Sequence, residues 1–131
     1  MTPAFLALDD VLALHARSIE GFGGTLGIRD IGLLESALAM PPASFAGEWL
    51  HSTLFEMAAA YLFHICKNHP FLDGNKRAGL AAALMFLGLN GYRVTADGDD
   101  LAEMVLAVAS GRLGKAEAAV FFRNNAVENE E

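Results

Sequence analysis

The sequence predicts an all-α protein, a compact bundle of about six helices, and three observations carry that prediction. Apolar residues recur at helical spacing along most of the 131 residues. Side chains that favour helix N-termini stand where those apolar stripes begin, and glycine or proline stands where they stop. No segment alternates convincingly between apolar and polar residues, as a half-buried strand would.

Asp9 is placed to cap a first helix carrying Val11, Leu12, His15 and Ile19 on one stripe, and Gly21, Gly23 and Gly24 end it. His15 is expected to pack against Phe22, and the Phe22-Gly23-Gly24 turn reads as structural. Asp30 caps a second helix with Leu33, Leu34, Ala37 and Leu38 on its face, stopped by Pro41-Pro42. Residues 43–51 read as a loop or short turn anchored by Phe45 and Trp49. Thr53-Leu54-Phe55-Glu56 is a capping box that opens a third helix through about Lys67. Its apolar positions, Leu54, Ala58, Tyr61, Leu62 and Ile65, reach nearly all round. A short loop leads to a fourth helix over about 75–90, closed by Asn90-Gly91. That helix is apolar on most faces, so residues 81–87 are expected to be almost fully buried at the centre of the bundle. Asp99-Asp100 open a fifth helix ended by Gly111, and a sixth covers roughly 115–124. An acidic, frayed tail is expected over 126–131.

The chain has no internal repeat or low-complexity linker and reads as one domain over 1–131, long enough for a real core. Its mean hydropathy of +0.33 is high, which implies tight packing together with a surface that a partner covers. No apolar run reaches membrane-spanning length, because His64, Gly88 and charged residues interrupt it. Met1-Thr2-Pro3-Ala4 lacks a basic leader region, and the single Cys66 forms no internal disulfide. Both features point to the cytoplasm, with Cys66 a core residue and not a nucleophile. A formal net charge of −7 argues against direct nucleic-acid binding.

The chemistry is concentrated in His69-Pro70-Phe71-Leu72-Asp73-Gly74-Asn75-Lys76-Arg77. The order reads as a loop entering the N-terminus of a buried helix, where free backbone N–H groups and the helix dipole favour an anion. Lys76 and Arg77 add a point charge and a planar fork suited to phosphate oxygens. Two cations in a first helical turn are unfavourable unless a bound anion compensates them. Asp73 is the candidate Mg²⁺ ligand, since Mg²⁺ needs only one or two carboxylates when phosphates supply the rest. His69 is the candidate proton acceptor for an attacking hydroxyl. Gly74 lets backbone approach phosphate closely, Asn75 can cap the helix and offer its amide, and Phe71 anchors the loop in the core. Together these are the parts of a phosphoryl- or nucleotidyl-transfer site. His64 and His69 lack the spacing of a zinc-binding helix.

The same residues resemble the signature loop of the Fic/Doc superfamily, whose Fic members read His-x-Phe-x-Asp/Glu-Gly-Asn-Gly-Arg-x-x-Arg. Lys76 replaces the second glycine and Leu80 stands where the final arginine belongs, and both departures are those of the Doc (death-on-curing) toxins. Residues 15–38, with Gly23-Gly24, Gly27-Ile28-Arg29-Asp30 and Leu33-Leu34-Glu35-Ser36-Ala37-Leu38, resemble the N-terminal region of Doc-type toxins. The resemblance covers about 8–122 and implies a Fic/Doc-type bundle in which the buried helix follows the loop.

It also implies an activity: transfer of the ATP γ-phosphoryl group, with Mg²⁺, to a threonine of elongation factor Tu, which blocks translation. Carried over, His69 is the base, Asp73 the metal ligand, and Gly74, Asn75, Lys76 and Arg77 the phosphate cradle. The alternative is Fic-type adenylyl transfer to a protein hydroxyl, against which Leu80 counts; a non-catalytic binding module of the same fold is a third reading. Fic enzymes often block themselves with a Ser/Thr-x-x-x-Glu-Gly/Asn helix. Here Glu20-Gly21 and Glu128-Asn129 have Ala16 and Asn124 at the required Ser/Thr position. Restraint in trans is therefore expected, from a small Phd-like antitoxin whose segment folds on binding.

Overall fold

Across residues 2–129, which the computed structural model describes, six helices form: α1 (Leu8–Phe22), α2 (Ile31–Ala39), α3 (Leu54–Asn68), α4 (Asn75–Leu89), α5 (Gly98–Ala109) and α6 (Lys115–Asn124). The fold is all-α, as the apolar spacing predicts. Four short strands accompany the helices: β1 (Ser44–Phe45) pairs with β2 (Glu48–Trp49), and β3 (Tyr92–Val94) with β4 (Ala126–Glu128), both antiparallel.

The caps explain most boundaries. Asp30 accepts from the Leu33 N–H at 3.0 Å and starts α2 as expected. Thr53 accepts from the Glu56 N–H at 3.1 Å and starts α3, but the Glu56 carboxylate takes the Ser52 hydroxyl, so only half of the expected capping box forms. Asp9 is not the cap of α1: the helix begins at Leu8 with Ala7 at the cap position, two residues earlier, and Asp10 accepts from the Ala7 N–H at 2.8 Å to close its start. Likewise Asp97, not Asp99, caps α5, accepting from the Asp100 N–H at 2.8 Å. In both helices the aspartates expected as openers sit in the first turn, where their charge still complements the helix dipole.

α3 is the most enclosed element, with Met57 to Leu62, Ile65 and Cys66 all buried, and it packs chiefly against α4 and α6. Tyr61 is fully buried in it, and its hydroxyl accepts from the Leu6 N–H at 2.9 Å. Burial pushes the Tyr61 pKa up to about 12, so the phenol stays neutral. α4 lies against α1, α3 and α5. Its inner stripe, Ala78, Ala82, Ala83, Phe86 and Leu87, is buried, but Ala81, Leu84 and Met85 are half-exposed, so residues 81–87 are not enclosed all round. The small side chains on that stripe let α4 approach α3 closely; a Cβ at Gly79 would meet the Leu62 carbonyl at 3.2 Å.

Two loop expectations are corrected. Phe45 does not anchor residues 43–51: it is 76% exposed on a β1–β2 hairpin whose central residues, Ala46 and Gly47, both have positive φ. Trp49 is 39% exposed and touches the bundle through Phe5, their ring centres 5.6 Å apart, and the segment's buried side chain is His51. The tail expected to be frayed from residue 126 instead forms β4 over 126–128, because β3 offers it a free edge; residues 130 and 131 lie outside the described residues. Among the described residues no helix is long and apolar enough to cross a membrane.

Candidate active site

The loop between α3 and α4 is held by the connection between α1 and α2. Ile28 bridges Phe71 in antiparallel fashion, the Leu72 N–H donates to the Gly27 carbonyl (3.1 Å), and the Arg29 and Asp30 N–H groups donate to the Pro70 carbonyl (2.7 and 3.0 Å). Phe71 is buried between the 27–30 segment and the core, the anchor that its residue type predicts. His15 stacks flat on the Phe71 ring, at 3.7 Å between centroids, and not on Phe22, which is 80% exposed. The expected His15–Phe22 contact is absent because α1 turns His15 towards the loop while Phe22 marks its outer end.

His69 is the C-cap of α3 and has left-handed backbone (φ 50°, ψ 53°), which directs its exposed side chain away from the helix axis. Arg29 holds that strained corner. Its Nε donates to the His69 carbonyl (2.6 Å) and its Nη2 to the Asn68 carbonyl (2.9 Å), a cationic fork on the last free carbonyls of the helix. The Asn75 side chain fixes the other side: its Oδ1 accepts from the Phe71 N–H (2.9 Å), and its Nδ2 donates to the Phe71 carbonyl (3.0 Å) and faces His69 Nδ1 (3.1 Å). Asn75 is thus a buried brace for the loop, not the helix cap, and its amide is committed to protein groups. With Nδ1 accepting from Asn75, a neutral His69 carries its proton on Nε2. Accepting a proton at Nε2 requires the other tautomer, at the loss of that one bond, about 0.5–1.5 kcal/mol.

Gly74 is the N-cap of α4, at φ +76°, and supplies no side chain to cover the helix end. The first intrahelical donor is Ala78, which bonds the Gly74 carbonyl, so the N–H groups of residues 75–77 point out of the helix uncapped. A Cβ at Gly74 would lie 3.2 Å from both Arg77 Nη2 and Ile19 Cδ1, so a side chain here would crowd both.

Asp73 stands beside this opening. Its Oδ2 accepts from the Thr25 N–H (3.1 Å) and its Oδ1 from the Gly74 N–H (2.8 Å). Those two bonds, more than the nearby Arg77 charge, hold the carboxyl below the usual carboxylate range, so it is ionised at neutral pH. Gly24 has φ +116°, and a Cβ on it would fall 2.6 Å from Asp73 Oδ2; the turn that reads as merely structural is the wall of the carboxylate site. Arg77 Nη2 donates to the Gly23 carbonyl (2.8 Å), and its guanidinium lies 5.9 Å from the Phe22 ring centre. Lys76 is exposed at the first turn of α4.

The arrangement brings together His69, Asp73, Gly74 and Arg77 with the free N–H groups of α4, and turns only the Asn75 side chain inward. It suits an anion at the helix end. Among the described residues no three His, Cys, Asp or Glu side chains gather to hold a metal ion. Asp73 alone, with each oxygen keeping a lone pair beyond its N–H bond, fits Mg²⁺ only where phosphate oxygens complete the shell. Cys66 is buried, and burial raises its pKa to about 11, which keeps it a thiol and outside the chemistry. His64 is neutral, its pKa lowered to about 4 by burial and then by the Lys115 charge. Sequence reasoning missed His15, Gly24, Thr25 and Arg29 as site residues. Gly23-Gly24 was a signal for close approach, but the partners of His15 and Arg29 lie 39 or more residues away.

Comparison with known proteins agrees with this geometry. Residues 5–87 match the model of the Fic/DOC family. The chain is 46% identical over 95 residues, 72% of its length and 71% of the relative's, to "Toxin Doc" of Mycolicibacterium smegmatis. It is 35% identical over 111 residues, 85% of its length and 86% of the relative's, to "Protein kinase doc" of Escherichia phage P1. The family match spans the signature loop and the α1–α2 connection that clasps it, and with two such relatives along most of its length the chain belongs to the Doc branch of the Fic/Doc family.

Proposed function

We propose that this protein is a toxin that transfers the γ-phosphoryl group of ATP to a protein hydroxyl, a threonine of elongation factor Tu, and so blocks translation. The observation that carries the reading is the meeting of an exposed histidine, an ionised carboxylate and three uncapped N–H groups at one helix end. A relative over most of the chain bears the name protein kinase. The hydroxyl oxygen forms a bond to the γ-phosphorus as the bond to the β-bridging oxygen breaks, and the hydroxyl proton passes to His69. The N–H groups of residues 75–77, with Lys76 and Arg77, hold the phosphate charge in place, and such transfer depends mainly on positioning and charge. Mg²⁺ bound through Asp73 would neutralise the phosphates. Leu80 lines an apolar cleft where adenylyl transferases need a cation for the distal phosphates, which disfavours adenylyl transfer. The target should take label from γ-labelled and not from α-labelled ATP. Labelling from the α-position would install adenylyl transfer instead, and no labelling from either would leave a binding module.

That cleft, 270 Å³ between α4 and α5, is lined by Lys76, Arg77, Leu80, Ala102, Val105 and Leu106. We assign it to the antitoxin, as the seat of an amphipathic segment whose acidic residues meet Lys76 and Arg77. Leu106 is 53% exposed at its edge. Leu106→Glu should weaken the complex with the co-expressed antitoxin by about tenfold or more and leave the toxin folded, and unchanged affinity by calorimetry would move the antitoxin elsewhere.

A further inference from the structure

One peptide unit joins the two halves of the site, and the side chain that holds it comes from α1. His15 is 2% exposed, and its Nε2 lies 2.7 Å from the Asp73 carbonyl oxygen. A carbonyl only accepts, so Nε2 carries the proton and donates. That carbonyl belongs to the Asp73–Gly74 peptide, whose N–H donates to Asp73 Oδ1 at 2.8 Å. The peptide plane is rigid, so its C=O and N–H turn together. Immediately after it, Gly74 starts α4 and the free N–H groups of residues 75–77. Rotation of this one plane would release Asp73 Oδ1, leaving the carboxylate with the Thr25 N–H alone, and swing the helix-end donors together.

We propose that His15 is a positioning residue for the phosphate and metal end of the site, acting through its hydrogen bond to the Asp73 carbonyl. The proposal rests on the phosphoryl-transfer reading above. The Phe71 ring, at 3.7 Å and 6° from parallel, holds the imidazole so that Nε2 faces that carbonyl. The donor side of the bond is buried with His15, so removing the imidazole N–H leaves the carbonyl without the partner that fixes its direction.

Two substitutions separate the hydrogen bond from the packing. His15→Phe keeps a ring to stack on Phe71 and removes the donor; His15→Gln keeps a donor of similar reach and removes the ring. Three quantities are measured: Mg–ATP affinity by calorimetry, amide exchange of Gly74 without nucleotide, and kcat and KM for transfer. His15→Phe should weaken Mg–ATP by about tenfold, raise its KM, and speed Gly74 exchange by about as much, with an unchanged or higher melting temperature. His15→Gln should stay within about threefold of wild type on all three while melting lower. If His15→Phe behaves as wild type, or Gln is as impaired as Phe, the hydrogen bond has no positioning role. If wild type fails to bind Mg–ATP while Gly74 exchange still rises in His15→Phe, the nucleotide reading falls and the positioning role stands.

Discussion

His69→Ala should lower the rate of phosphoryl transfer by ~10²–10⁴-fold and abolish growth arrest while leaving the protein folded. The residue is exposed and, among the described residues, its ring hydrogen-bonds Asn75 alone, so truncation removes little packing. The backbone around it stays clamped, because Arg29 bonds the carbonyls of residues 68 and 69 whatever side chain stands at the corner. Histidine and asparagine tolerate left-handed backbone better than alanine does, so His69→Asn serves as the stability control. Both variants should melt within a few degrees of wild type, and both should fail in a single-turnover assay. Transfer by either folded variant at more than a tenth of the wild-type rate would remove His69 from proton acceptance.

Phe71→Ala should act by the opposite route, destroying the site through the fold. Phe71 is fully buried, stacks on His15, and has its N–H and carbonyl both bonded by Asn75. Removing a buried phenyl ring costs about 3–5 kcal/mol, a large part of the ~5–15 kcal/mol that keeps a domain folded. Urea unfolding should show a lower midpoint with an unchanged slope, and melting should fall by roughly 10–20 °C. Activity should be lost even in the fraction that remains folded, since the ring fixes His15 and the backbone between His69 and Asp73. A loss of under about 1 kcal/mol would mean that the loop is held by its hydrogen bonds with Gly27, Arg29 and Asp30 and not by this anchor.

The helices were legible because their signals are local. Asp30 and Thr53 bond N–H groups three residues on, and the apolar stripes of α3 and α4 repeat within a turn or two. Where acidic residues cluster at a helix start, as at Asp9 and Asp10 or at Asp97, Asp99 and Asp100, the sequence narrowed the boundary to within two residues and backbone geometry set it. β3 and β4 were illegible because three residues are too few for a period, and their pairing spans more than thirty positions of chain. The exposure of Phe45 is a related case: its hydrophobicity is a sequence property, but its place on a hairpin with positive φ at Ala46 and Gly47 is not.

For the candidate active site, the sequence by itself determined the chemical inventory and its order: a histidine, a carboxylate, a glycine entry and two cations within nine residues, at the start of a helix. Residues that close in sequence cannot fold far apart, so His69, Asp73 and Arg77 had to share one end of α4. Only the tertiary structure decided how they are held. It turned the Asn75 amide inward as a brace, set Gly24 and the Thr25 N–H against the Asp73 carboxylate, and brought His15 and Arg29 onto backbone carbonyls of the loop. A carbonyl is the same on every residue, so a side chain that recognises one leaves no mark at its partner's position in the sequence. Such contacts emerge only when packing sets the distance and the burial that give the hydrogen bond its strength.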